Sequence, residues 1–212
     1  MIGYYNFSVV LTYVSLVSAV WGMTLAMGGH VRLAVMCLMI SGLCDCFDGS
    51  VARKCKRSDS EKHFGVQIDS LCDLVAFGVF PAMIGYAVGM RSWYWTAALA
   101  FFVLSAVIRL GYFNVQEIER AQNGGGHRVD YQGLPVTSIA LIAPVLLLID
   151  TLFAPSRALV YPFGILVVGI LYILKIRIKK PYNMALVGLA AVGAVIFLLV
   201  LFAGGRMDAL FA

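Results

Sequence analysis

Charge is what this sequence has least of. Only 13% of its 212 residues are Asp, Glu, Lys or Arg, 61% are hydrophobic, and the mean hydropathy is +0.90. Soluble domains carry about a quarter charged residues, so an ordinary water-soluble domain is excluded. Histidine is also scarce, with His30, His63 and His127 the full set. His63 and His127 read as solvated loop residues, and His30 falls on the other side of the chain from them. The five cysteines, Cys37, Cys44, Cys46, Cys55 and Cys72, are odd in number and include no C-x-x-C pair. Neither a disulfide framework nor a zinc site is indicated; small apolar side chains beside a reducing compartment fit better. No Gly-Lys-Ser or Gly-Lys-Thr follows the glycines Gly124, Gly125 and Gly126. That stretch is therefore a turn and not a phosphate-cradling loop. No repeat of 20 to 50 residues is apparent. No Lys or Arg precedes the first apolar run, which is too long for a signal-peptide core, so a cleaved targeting peptide is not expected.

Long apolar runs fill the rest. They can be drawn at about 8–28, 32–52, 66–89, 92–115, 134–153, 157–174 and 182–203. Each approaches the roughly 20 residues that a helix needs to cross a bilayer core. Gly29 with His30, Gly89 with Met90 and Ala154 with Pro155 mark tight connections, which make their flanking helices antiparallel neighbours. The expectation is an all-α, polytopic bundle of six to seven transmembrane helices. No connection is long enough for a second domain, so residues 1–212 read as one integral membrane domain, with a core at about 8–175 and an additional helix at about 182–203.

The net charge of +5 does not point to nucleic acid, because the basic residues cluster at the ends of apolar runs. One set of loops holds Arg53, Lys54, Lys56, Arg57, Lys62, Arg109, Arg120, Arg128, Lys175, Arg177, Lys179 and Lys180. The other set holds Arg32, Arg91, Arg157 and Arg206. Cytoplasmic loops carry the Lys and Arg excess, so the first set is expected inside the cell, in a multi-pass protein of the cell membrane. The patch from Lys175 to Lys180 reads as a topology and headgroup-contact element.

Against this background four aspartates stand out. Asp45 and Asp48 are three residues apart and Asp69 and Asp73 four apart, so each pair projects from one helical face. Translocon scales put an Asp at a helix centre at roughly +2.5 to +3.5 kcal/mol, and four together also repel one another. A cation removes both penalties. Hard oxygen ligands without histidine select Mg²⁺, Mn²⁺ or Ca²⁺, and four carboxylates exceed what one Mg²⁺ takes from protein, so two ions are expected. Gly49 and Ala52 leave room beside the first pair, Arg53 offers a fork for phosphate oxygens, and Gly65 allows close approach one turn before Asp69. Metal, arginine and a lipid boundary together describe a site for a lipid-linked phosphate or diphosphate. Interfacial caps and solvated loop charges are the plain alternative for each aspartate taken singly; two in-phase pairs beside glycines and an arginine argue against it. A divalent-cation transport path is a reading of another class, disfavoured because the charges are confined to one end.

Asp45-x-x-Asp48-Gly49-x-x-Ala52-Arg53, eleven residues, then Gly65-x-x-x-Asp69-x-x-x-Asp73 resembles the signature of the CDP-alcohol phosphotransferase family at every fixed position. The resemblance implies an integral membrane enzyme with a conserved six-helix core, often dimeric, that transfers a group from a CDP-linked substrate and releases CMP. Carried over, Asp45, Asp48 and Asp69 resemble metal ligands, and Asp73 resembles a ligand and the general base. Gly49, Ala52, Arg53 and Gly65 resemble the surroundings of the cytidine diphosphate. Ile108-Arg109-Leu110-Gly111-Tyr112-Phe113-Asn114 and Tyr131-Gln132-Gly133-Leu134-Pro135 are similar to elements of the phosphatidylserine synthase branch. That implies transfer of a phosphatidyl group from CDP-diacylglycerol to L-serine, with Arg109 and Asn114 as candidate acceptor contacts. Arg109 reads equally as a snorkelling helix anchor. Glycerol 3-phosphate, inositol and inositol phosphate remain alternative acceptors. Gly85 and Gly89 form a small-xxx-small pair that can seat another helix, a weak pointer to a homodimer.

Overall fold

The computed structural model describes Gly3 and residues 9–54, 58–122, 130–153, 158–179 and 183–211. The described elements are helices α1 (Val10–Met27), α2 (Val31–Lys54), α3 (Asp59–Asp73), α4 (Phe80–Ala87), α5 (Trp93–Gln122), α6 (Ile139–Phe153), α7 (Val160–Ile173) and α8 (Asn183–Phe211), with strands β1 (Asp130–Gln132) and β2 (Arg177–Lys179). A π-helical stretch, Leu74–Val79, joins α3 to α4 without a break, so Asp59–Ala87 is one helical run. The seven apolar segments thus correspond to seven helical runs among the described residues, and the all-α bundle is as expected. Among the described residues, four runs are long and apolar enough to cross a membrane: Val10–Met27, Ser60–Ala87, Trp93–Glu119 and Val136–Phe153. Two further apolar helices, Val160–Ile173 and Ala190–Ala203, are shorter. Run composition and family resemblance together make this a multi-pass membrane protein.

Several runs extend beyond their apolar limits. Helix α2 continues to Lys54 and α5 to Gln122; in α5 the good helix formers Gln116, Glu117, Glu119, Arg120 and Ala121 carry the helix on. Helix α3 begins at a capping box: the Ser58 hydroxyl accepts from the Glu61 N–H at 3.3 Å, and Glu61 Oε2 accepts from the Ser58 N–H at 2.8 Å.

Helices α1 and α2 are antiparallel partners. Ser41 donates to the Ser15 carbonyl at 2.8 Å, Ser15 to the Ser41 carbonyl at 3.3 Å, and Ser18 to the Cys37 carbonyl at 3.0 Å. As α1 is followed forward, its partners run backward along α2. The turn between them passes through Gly29 at φ +82°, and that between α4 and α5 through Gly89 at φ +111°, conformations that only glycine adopts without strain. The Ala154–Pro155 connection lies outside the described residues. The core between the helices is filled by Leu38, Phe77, Phe80, Phe102, Leu147 and Tyr161, all fully buried.

Gly85 seats a helix, but one of its own chain. A Cβ there would stand 2.9 Å from Leu99 on α5 and 3.3 Å from Tyr161 on α7. The pair with Gly89 is spent inside the bundle and a turn, so it gives no ground for a dimer. The last helix, α8, buries Ile196, Val200 and Met207, and Asp208 accepts from the Arg32 N–H at 2.9 Å. A small antiparallel ladder of β1 and β2 ties the segment before α6 to the segment after α7.

Candidate metal centre

Asp45 and Asp48 lie near the C-terminal end of α2, and Asp69 and Asp73 in the last two turns of α3. The i,i+3 and i,i+4 spacings turn each pair to one face, and the packing of the two runs points those faces at each other. Carboxylate oxygens of Asp45, Asp48 and Asp69 lie within 4.8 Å of one another. Asp73 completes the group, its carboxyl reaching that of Asp45 while Asp69 reaches Asp48. Asp48 is buried and the other three are half-buried. The π-helical stretch starts at the residue after Asp73, where the buried Ala76, Phe77 and Gly78 set the run against the core.

Two hydroxyls that the spacing argument did not single out hold this group. Thr137 Oγ1 donates to Asp45 Oδ2 at 2.7 Å, and Thr12 Oγ1 to Asp48 Oδ2 at 3.3 Å. Thr12 comes from α1 and Thr137 from the 3₁₀ turn Val136–Ser138 that opens α6. Their only sequence signal is a polar residue at the aspartate-side end of an apolar run.

Two unit charges 4.8 Å apart repel by about 3.5 kcal/mol at an effective dielectric of about 20. Converging four carboxylates therefore needs compensation beyond two hydroxyl donors. A divalent cation with ligands at about 2.1–2.4 Å places opposite oxygens about 4.2–4.8 Å apart. Oxygens no more than 4.8 Å apart can share such an ion, and the donor set is all oxygen. The residues present fit a hard divalent cation.

The other candidates are distributed as follows. Gly65 is half-buried on α3, one turn before Asp69. Gly49, Ala52 and Arg53 continue α2 beyond Asp48, and their side chains lie outside the described residues. Asn114 on α5 accepts from Ser70 Oγ at 2.8 Å, which ties it to the helix bearing Asp69 and Asp73. Arg109, buried at 5% exposure, turns inward: Nε donates to the Leu134 carbonyl at 3.1 Å and Nη2 to the Gly133 carbonyl at 3.4 Å. It does not snorkel. His63 is exposed, and His127 falls outside the described residues.

A family model of CDP-alcohol phosphatidyltransferase matches residues 5–205. The chain is 35% identical over 133 residues to a CDP-diacylglycerol–serine O-phosphatidyltransferase of Saccharomyces cerevisiae, a match covering 60% of this chain and 45% of that protein. It is 34% identical over 118 residues to an archaetidylserine synthase of Methanothermobacter thermautotrophicus, covering 55% and 47%. With a CDP-diacylglycerol–serine O-phosphatidyltransferase of Bacillus subtilis the identity is 28% over 125 residues, covering 58% and 68%. The matched part spans about half the length of the first two of these relatives.

Proposed function

This chain belongs to the CDP-alcohol phosphatidyltransferase family, and from that premise we propose that it transfers the phosphatidyl group of CDP-diacylglycerol to the hydroxyl of L-serine, forming phosphatidylserine and CMP. The observation that carries the reading is the convergence of Asp45, Asp48, Asp69 and Asp73 from two helical runs into one cluster at one end of the bundle. Serine as acceptor is supported by the names of the relatives.

In this reading the four carboxylates hold Mg²⁺ or Mn²⁺, two ions when fully loaded. Bound there, the metal would neutralise the diphosphate and the charge that develops as CMP departs. Asp73 takes the proton of the serine hydroxyl as the oxygen attacks the β-phosphorus in line, and CMP leaves with the electron pair of the broken P–O bond. Gly49, Ala52 and Gly65 make room for the cytidine diphosphate, and Arg53 steadies the departing phosphate. Asn114, bonded to Ser70 on the helix that carries Asp69 and Asp73, is the acceptor contact this reading favours, since the Arg109 guanidinium is engaged with the Gly133 and Leu134 carbonyls. Residues 1–212 act as one membrane domain, with the site at the cytoplasmic face of the cell membrane.

Purified protein incubated with CDP-diacylglycerol, Mn²⁺ and one alcohol at a time, with CMP release followed, tests this. Turnover is expected with L-serine. Turnover only with glycerol 3-phosphate or an inositol, and none with serine, overturns the acceptor; metal flux into liposomes without CMP release overturns the enzyme.

A further inference from the structure

Thr137 lies two residues after Pro135, in a single 3₁₀ turn that would be soft if left alone. It is held from every side. The Gly133 N–H donates to the Ile176 carbonyl at 2.6 Å, and Tyr172 Oη donates to the Val136 carbonyl at 2.8 Å. Ser138 Oγ closes on the Pro135 carbonyl at 2.6 Å, and the Arg109 guanidinium spans the Gly133 and Leu134 carbonyls. Gly133 sits at φ +84°, and a Cβ there would stand 3.2 Å from both Arg109 Nε and the Leu174 carbonyl. Tyr172 and Val136 are both buried. Helix α5, through Arg109, and helix α7, through Tyr172, thus fix a segment that reaches the aspartate cluster through the 2.7 Å bond from Thr137 to Asp45.

We propose that Thr137 is a positioning residue for the metal centre: its hydroxyl orients the Asp45 carboxylate toward the other three, and the clamp of Arg109 and Tyr172 keeps Thr137 in place. This rests on the reading of the cluster as a metal centre. The physical need is plain. Four carboxylates repel, and the lowest-cost escape for Asp45 is to rotate about its side-chain torsions away from Asp48 and Asp73. A donor at 2.7 Å restricts that rotation before any cation arrives, so part of the cost of assembling the site is met by the fold. The corresponding bond from Thr12 to Asp48 is longer, at 3.3 Å, which makes Thr137 the stronger brace. Arg109 acquires a role as well. It acts on the chemistry through the loop it grips, and a lysine there would keep the charge and lose the fork that spans two carbonyls.

The test is Mn²⁺ binding to the detergent-solubilised full chain, with free Mn²⁺ followed by electron paramagnetic resonance. Thr137→Val, nearly isosteric and without the donor, is expected to weaken Mn²⁺ binding about tenfold or more. Thr137→Ser restores the donor and is expected to bind close to wild type. Thr151→Val is the control: Thr151 sits at the far end of α6, with its hydroxyl on the Leu147 carbonyl of its own helix, and should bind as wild type. Arg109→Lys is the second route to the same answer and should weaken binding with Thr137 intact. Either Thr137→Val or Arg109→Lys binding Mn²⁺ like wild type, in monodisperse protein, overturns the inference while the metal centre stands. Wild type that takes up no Mn²⁺ removes the metal centre itself.

Discussion

Asp150 and the four-aspartate cluster bring carboxylates into the same apolar bundle by opposite means. Asp150, at the last turn of α6 and fully buried, accepts from the N–H groups of Leu159 and Val160 through Oδ1 and of Tyr161 through Oδ2, all within 2.8 Å. These are donors that the start of α7 would otherwise leave unused, and the positive end of the helix dipole favours the charge. Asp150 is paired by the fold. Asp45, Asp48, Asp69 and Asp73 gather at the other end, carboxylate against carboxylate, with Thr12 and Thr137 as hydroxyl donors among the described residues. Burial alone therefore does not single out a candidate functional acid; the convergence of several carboxylates does.

Substitutions should pull the two ends apart. The largest effect is expected from Asp73→Asn, which removes the proposed base and should lower CMP release by roughly a hundred- to ten-thousandfold in monodisperse protein; activity near wild type would assign the base elsewhere. Asp150→Ala strands three N–H groups and should cost about 2 kcal/mol of stability, seen as a lower melting temperature, with specific activity per folded protein kept. Asp45→Asn should do the reverse. Without metal it relieves like-charge repulsion and should raise stability by on the order of 1 kcal/mol, seen as a higher melting temperature, while activity falls. Smallest of all, Arg32→Ala breaks a 3.8 Å ion pair with Asp208 whose side chains are 29% and 27% exposed, and should move stability by less than about 1 kcal/mol.

The parts of this arrangement differed in how legible they were beforehand. Helical runs could be read because crossing a bilayer demands about 20 apolar residues, and the aspartate pairs because i,i+3 and i,i+4 spacing fixes a common face whatever the packing. Thr12 and Thr137 could not. Each comes from a different run, and only the docking of α1 and α6 on α2 brings them to Asp48 and Asp45. The sequence around Arg109 fits an acceptor contact and a snorkelling anchor alike, and its direction is decided by the Gly133 turn 24 residues later in the chain. Gly85 fitted a dimer motif by spacing, and only the position of Leu99 and Tyr161 shows which helix it seats. The Ser58–Glu61 capping box was present in the spacing and could have placed the start of α3. Local periodicity, in short, predicts faces, whereas long-range docking decides what each face meets.

The claim that the cluster is completed by a cation is tested most directly by thermal unfolding of the purified chain across a Mn²⁺ titration, wild type beside Asp45→Asn and Asp150→Ala. Wild type and Asp150→Ala are expected to gain a saturable increment, about 2.7 kcal/mol at a hundred times the dissociation constant, and Asp45→Asn to lose most of it. An equal increment in all three proteins, or none in wild type, would contradict the account.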